Sequence, residues 1–461
     1  MWLSIDLVVT ERPLRIMPVD LSQAGRPSAY PSHPRLWPWW FCIWLACAVS
    51  GAAIALLTWP KGERAGSSWF WFCIVGIPNG LFGLLFAIER ACYEAMWYRA
   101  YHRNLHRDRW LAERIRVAQQ PLRVLGVGYC LPLNGQTLAQ AIRAGARLPR
   151  SQQPRYGAGV VVHCRFDDPP ERSDEAGDID EIDLAGDSEA DAAADAPPKR
   201  PLTQLAFRIA EALEPIAASL HALTHYEATR WPKVRVLAEP GEEALREQEV
   251  HDALQLAGLP PLAVSAVPAS HGLLIADAWL ETRDACPLLV IATAWHEEWP
   301  PTGSTEGCVA VLLDAGVYRL PEGVPVMASL HRPVEGKPNE IEYGFANAVI
   351  WGNTDSDAVT RAWTTRAVER CNQGLRIANL ATLANSDAQY DLTYIAGDFG
   401  NASGWLSIAA AIECGAVDAP QLIVDGVQSA IIHVLPGIPG KETSLPGHTQ
   451  HDRSETDFAI A

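Results

Sequence analysis

The sequence predicts an α/β protein: a two-helix transmembrane hairpin followed by a layered α/β domain. Two observations carry this. Leu36–Pro60 and Ser67–Ile88 contain no charged residue, and beyond residue 120 short apolar strands alternate with helical segments. Alternation of that kind places helices over a central sheet.

The membrane segments come first. The uncharged runs are 25 and 22 residues long. At about 1.5 Å per residue, roughly 20 residues cross a hydrocarbon core of about 30 Å. Trp37, Trp39, Trp40 and Trp44 crowd one end of the first run, Trp59 the other, and Trp69 and Trp71 open the second. Indole rings prefer the headgroup level, so these residues mark membrane edges. The connector Lys61–Gly66 is short enough to force an antiparallel hairpin, and Pro78 and Gly80 are expected to disturb the second span. Residues 91–120 read as a helix continuing out of that span, with arginines suited to anionic lipid heads.

Orientation follows from charge. Arg99, Arg103, Arg107, Arg109, Arg114, Arg116 and Arg123 follow the second span against only Asp108 and Glu113. The positive-inside rule puts that side in the cytosol. The expectation is a multi-pass protein of the bacterial inner membrane, with both termini and the large domain cytosolic. An apolar run that starts about 35 residues in, behind acidic and proline-containing sequence, is not a cleavable signal peptide.

The formal net charge is -17, which argues against a nucleic-acid binder needing Lys and Arg for phosphates. The 10 cysteines include no Cys-x-x-Cys pair. A disulfide framework or zinc site is not expected, and scattered thiols fit a reducing compartment. Residues 167–195 hold 13 acidic residues opposed by Arg172 alone, so a disordered loop over 167–198 is expected. The polar tail 441–461 is expected to be flexible.

The domain from 121 to 440 reads as strand 121–133, helix 136–148, amphipathic helix 201–220, strands 287–295 and 308–316, helix 356–371, strand 391–398 and helix 402–416. In this order the chain resembles the thiolase fold, and in particular β-ketoacyl synthases. Residues 122–145 are similar to the opening strand, loop and helix of such a synthase. Residues 303–315 (GSTEGCVAVLLDA) are similar to the strand before the crossover to the second half. Residues 397–415 (GDFGNASGWLSIAAAIECG) are similar to the closing Gly-rich loop and its small-residue helix.

That resemblance implies a nucleophilic cysteine on a tight strand-to-helix turn and two histidines, or a histidine and an asparagine, around the substrate carbonyl. The segment matching the turn, LAVSAVPASHGLLIADAWL (262–280), has Ser270 and His271 at the nucleophile position and no cysteine. The stretch matched to the first histidine, 380–391, has none, and the closing loop offers Asn401. The expectation is a catalytically inactive domain with no cofactor and no metal. Ser270, His271 and Asn401 are the degenerate positions.

Other groups are weaker. His221 and His225 stand four apart on a helix without the glutamate of a zinc motif. Cys308 lies in an apolar strand, and Gly126-Val127-Gly128 is too short for a dinucleotide loop.

Proteins that resemble degenerate condensing enzymes also occur beside bacterial secretion-system effectors. The expected function is therefore a protein-binding adaptor for such an effector or its machinery. An active acyl-transfer enzyme at the membrane is the alternative. A homodimer is expected by analogy with thiolase folds, and no nucleic acid.

Overall fold

The computed structural model describes residues 24–32, 38–60, 66–145, 147–156, 158–167, 202–282, 284–385, 387–414 and 419–436. The acidic stretch, apart from Asp167, and the tail 441–461 lie outside the described residues. The chain divides into two compact units, one from Val19 to Val117 and the other from Ala118 onward.

The first unit is helical. α1 (Trp39–Thr58) and α2 (Ser68–Ala118) are both long and apolar enough to cross a membrane. α2 continues without a break from its apolar part into the basic stretch. Pro78 offers no N–H to the carbonyl of Ile74, and the helix widens into a π-turn over Phe72–Gly76 just before it. α1 lies against α2. Trp44 Nε1 donates to Asn79 Oδ1 at 2.9 Å, Trp40 meets Phe82 and Phe86 edge-on, and Gly51 lets Pro78 approach closely. Residues 25–30 also run along α2. The Ser28 N–H donates to Asn104 Oδ1 at 2.7 Å, and Asn104 Nδ2 donates back to the Ser28 carbonyl at 3.0 Å.

The second unit is built on one mixed sheet. Its first five strands to enter are β1 (Leu122–Cys130), β4 (Lys233–Ala238), β5 (Ala263–Pro268), β6 (Leu288–Ala294) and β7 (Gly307–Asp314). They lie in the order β1-β7-β6-β4-β5. β7 is antiparallel to both neighbours, while β6, β4 and β5 are parallel. The later strands are β8 (Ala328–Leu330), β10 (Arg361–Thr365), β11 (Gln389–Asp391), β12 (Pro420–Asp425) and β13 (Gln428–Val434). They lie in the order β8-β13-β12-β10-β11 with the same directions. The fold is therefore an internal duplication. The halves join where β1 and β8 pair antiparallel, Leu122 opposite Leu330. Two smaller pieces complete the strands: β2 (Arg150–Gln152) with β3 (Val161–His163) as a separate ribbon, and β9 (Val334–Glu335) on β13.

Helices make the layers. α4 (Gln204–Leu213) and α6 (Glu243–Leu256) cover the outer face of the first half through Leu205, Ile209, Val250 and Leu254. α8 (Ile341–Trp351) and α9 (Cys371–Ile377) cover the second half. Between the halves lie α7 (Leu274–Thr282) and α11 (Ser403–Cys414). α11 packs on β1 and β7 on one side and on β10, β12 and β13 on the other. Ten of its twelve residues are buried, and most of these are Ala, Ser or Gly, which is what a helix needs to fit between the two halves of the sheet.

Several sequence expectations meet this architecture directly. β1, β6, β7 and α11 fall where they were read. α3 (Leu138–Ala144) is shorter than 136–148, closed by a Thr137/Gln140 capping box and by Gly145 in the left-handed region. The helix read over 201–220 breaks at Pro215 into α4, a 3₁₀ turn at Glu214–Ile216 and α5 (Ala217–Thr224). Two assignments are corrected. Residues 356–371 are not a helix, because Arg361–Thr365 forms the buried strand β10 between β11 and β12. Residues 391–398 are not a strand, because Asp391 caps the short helix α10 (Leu392–Ala396) through Tyr394 N–H.

Candidate functional site

The site grows from the duplication. In the first half, β5 leads through the 3₁₀ turn Ala269–His271 into the middle helix α7. In the second, β11 leads through α10 and the 3₁₀ turn Gly400–Ala402 into the middle helix α11. Ser270 and Asn401 are thus internal counterparts, each on a turn that launches a middle helix.

The first turn is tight. Gly272 sits at φ 48°, and a Cβ there would come within 2.6 Å of Gln428 Oε1. Gln428 and Trp405 hold the turn from beneath. The Leu273 N–H donates to Gln428 Oε1 at 2.8 Å, and Gln428 Nε2 donates to the His271 carbonyl at 3.2 Å. Trp405 Nε1 donates to the Gly272 carbonyl at 3.1 Å. The backbone of this turn is well satisfied, while the side chains of Ser270 and His271 are exposed. Among the described residues, the Ser270 hydroxyl has no hydrogen-bond partner, and His271 does not reach it.

Beside the turn lies a polar chain built from strand ends. Arg366 follows β10 at φ 46°, a left-handed conformation uncommon outside glycine. Its guanidinium binds Asp425 at two points, Nε to Oδ1 at 2.9 Å and Nη2 to Oδ2 at 2.8 Å. Nη1 donates to Asn401 Oδ1 at 3.0 Å. Asn401 Nδ2 in turn donates to Glu239 Oε1 at 2.6 Å, just beyond β4. Thr365 Oγ1 adds a bond to Asp425 at 3.1 Å. The Asp425 side chain is fully buried, and burial pushes its carboxyl above the usual value against the pull of Arg366. Such a bidentate pair fixes geometry more than it adds stability.

Ser270 and His271 lie on the turn that launches α7, and Asn401 lies on the turn that launches α11. The structure does not bring the stretch 380–391 to the role assigned to it. That stretch forms a 3₁₀ turn at Ala381–Ala384 and the edge strand β11. The group that reaches Asn401 from the second half is Arg366, which lay in the segment read as a helix. Asp425 and Gln428 were also missed. They face one another across the β12–β13 hairpin, and the signal was the Asp425-Gly426 turn between apolar runs.

The remaining candidates are structural. Gly126 and Gly128 lie inside β1. A Cβ at 126 would come within 2.6 Å of Ile216, and one at 128 would strike the Ala212 carbonyl, so the glycines let the outer helix approach the strand. His221 and His225 are exposed, with His225 Nδ1 at 2.7 Å from the His221 carbonyl. Cys308 is buried opposite Cys130. Among the described residues, all cysteines are free and no group of three ligands could hold a metal.

No family profile matches the chain, and no curated protein matches its sequence. Solved structures do align with it. The 3-oxoacyl-[acyl-carrier-protein] synthase III of Aquifex aeolicus VF5 aligns at 12% identity over 68% of this chain and 98% of its own, TM-score 0.36. The tetronic acid condensing enzyme AbyA1 aligns at 12% identity over 68% and 99%, TM-score 0.38. The peroxisomal 3-ketoacyl-CoA thiolase of Saccharomyces cerevisiae aligns at 13% identity over 50% and 90%, TM-score 0.37. Likenesses at these scores assign nothing to individual residues. The duplicated strand order stands on its own hydrogen bonds.

Proposed function

We propose that this protein is a membrane-tethered, catalytically inactive thiolase-like domain that works by binding another protein. The observation that carries this reading is the state of the Ser270 turn. Acyl transfer needs an activated nucleophile with a base in reach and donors for an oxyanion. Ser270 is solvent-exposed and unpartnered among the described residues. Asn401, on the counterpart turn of the second half, is engaged at both ends by Arg366 and Glu239. A serine hydroxyl without a base is a poor nucleophile, and an asparagine cannot exchange protons near neutral pH as histidine does.

On this reading α1 and α2 anchor the chain in the bacterial inner membrane and keep the large domain cytosolic. The partner is a secretion-system effector or part of its machinery. The binding surface includes the free edge of β5. That strand (AVSAVP) carries no charge, is part-exposed along its length, and among the described residues pairs with a strand on one side only, its Ala266 N–H donating to Glu247 Oε1 at 2.7 Å. A second copy paired there would give a homodimer.

The alternative, a working acyl-transfer enzyme at the membrane, is favoured by one feature. The turn keeps its tight strand-to-helix geometry, with Gly272 in the left-handed region where a side chain is strained. Intact-mass spectrometry decides between the two. The detergent-solubilised chain, incubated with acyl-thioesters or acylated carrier protein, is expected to gain no mass. A stoichiometric acyl adduct that disappears in Ser270→Ala would establish the enzyme.

A further inference from the structure

A groove of about 760 Å³ lies between the outer part of α2 and residues 24–28. Both walls belong to the first unit. The strap formed by residues 24–28 is pinned at two points. Ser28 and Asn104 exchange two hydrogen bonds, and Arg107 Nε donates to the Gly25 carbonyl at 3.0 Å. The volume falls within the roughly 300–1,000 Å³ of small-molecule sites.

The charged lining is cationic. Arg99, His102, Arg103, His106 and Arg107 are spaced three and four apart, so they share one face of α2, and Arg26 lines the groove from the strap. No Asp or Glu lines it among the described residues. Arg26 and Arg107 have partners, Arg107 through Asp108 at 3.1 Å. Arg99 and Arg103 have no hydrogen-bond or ion-pair partner among the described residues. Like charges one turn apart repel and weaken a helix. Elsewhere on α2, Arg90 is offset by Glu94 at 2.7 Å and Arg116 by Glu113 at 2.8 Å. Two unpaired guanidiniums held one turn apart in a strapped groove make an anion site.

The spacing defines the anion. Arg99 and Arg103 are separated by about one helical turn, roughly 5.4 Å along the axis. A lone carboxylate satisfies one guanidinium. Linked phosphates carry two or more charges and present each guanidinium with a pair of oxygens.

The level on α2 defines the source. Ile88 ends the uncharged run, and Arg99 and Arg103 stand 11 and 15 residues beyond it. At about 1.5 Å per residue those distances are roughly 16 and 22 Å. The headgroup layer on each side of the hydrocarbon core is only about 5–8 Å deep. Lipid phosphates therefore lie below the groove, and its ligand comes from the water. This last step rests on α2 as a membrane anchor, whereas the groove itself does not.

We propose that this groove binds a soluble small molecule carrying two or more linked phosphate groups. The phosphates bridge Arg99 and Arg103. The site shares no residue with the Ser270 turn or with β5, so the tests of the protein-binding reading can succeed or fail without touching it.

The test is isothermal titration of the full chain in phosphatidylcholine nanodiscs with tripolyphosphate, and with orthophosphate as the single-phosphate counterpart. Tripolyphosphate is expected to bind saturably at one site, about tenfold or more tighter than orthophosphate. The double variant Arg99→Gln, Arg103→Gln should weaken it about tenfold or more. Glutamine is a good helix former, so this variant should melt no lower than the wild type. Asn104→Ala unpins the strap without changing charge and should weaken binding about threefold or more. Arg109→Gln with Arg116→Gln removes the same charge from the same helix outside the groove and should change binding less than about twofold. Phosphatidylglycerol nanodiscs should also leave it within about twofold, because the headgroups lie at least a Debye length of about 8 Å away. Binding no tighter than that of orthophosphate, equal losses in the two double variants, full binding in Asn104→Ala, or no binding at millimolar concentration would each overturn the site. A loss of about tenfold in phosphatidylglycerol nanodiscs would show that lipid headgroups fill the groove and would overturn the soluble ligand.

Discussion

Gly272 shows how one residue commits a turn. At φ 48° a side chain is strained, and here its Cβ would also press on the amide that holds the turn. Gly272→Ala is expected to destabilise the large domain by about 1–3 kcal/mol, read as a lower melting temperature. Trp405 supports the same turn from α11 and is fully buried. Its truncation to alanine should cost more, about 3–5 kcal/mol, because it leaves a cavity as well as an unmet carbonyl.

Two buried titratable groups give opposite pH signatures. His331 lies in the core with its ring 4.9 Å from that of His433, and burial, helped by His433, lowers its value to about 4. The unfolded chain binds a proton near 6.5, so between those values it takes up a proton that the folded chain refuses. The stability this group contributes is present above about pH 6.5 and is lost as pH falls towards 4. Asp277 on α7 has the reverse sign. Burial raises its carboxyl to about 6 despite Arg332 at 2.9 Å, so protonation below that value favours the folded state. His331→Asn should therefore flatten the loss of melting temperature between pH 6.5 and 4, and Asp277→Asn should steepen it. The opposite pair of changes would show that other groups control the acid limb.

At the scale of elements, the errors have a common cause. Arg361–Thr365 contains Trp and two Thr, residues that favour strands, but it is flanked by Ala, Val and Arg that read as helical. What makes it a strand is a partner on each side, and those partners lie 27 and 60 residues away. Residues 391–398 fail the other way. An apolar run of that length suits either a strand or a short helix, and Asp391 as an N-cap decides it. α11 was legible because it follows a glycine-containing turn and carries a long run of small or apolar residues.

The free edge of β5 belongs to this scale. An uncharged edge strand is expected to pair, and a second copy of the chain is the proposed partner. Light scattering of the solubilised chain should give a dimer, and Ser265→Lys should shift it to monomer. A wild-type monomer at working concentration would remove the homodimer from the proposal.

For the whole molecule, the orientation remains to be measured. A reporter active only in the periplasm should be active when inserted between Lys61 and Gly66, and silent when fused after Ala461. The reverse pattern would move the large domain to the other side.

The sequence alone determined what depends on neighbours along the chain. The two apolar helices, the capped α3, the core strands β6 and β7 and the small-residue helix α11 all follow from composition and spacing. The turn at Ser270 and the small-residue loop at Asn401 were visible as well, through their resemblance to condensing enzymes. The tertiary structure decided what depends on groups far apart. The duplication has identical strand order and directions but no matching sequence signal. Arg366, Asp425 and Glu239 come from three separate strand ends and Asn401 from the turn before α11, and no local pattern announces that they meet. The physical reason is one of range. Propensity and capping act over a turn or two, whereas a site is assembled by burial of a shared core, which fixes side chains relative to one another without fixing their separation in sequence.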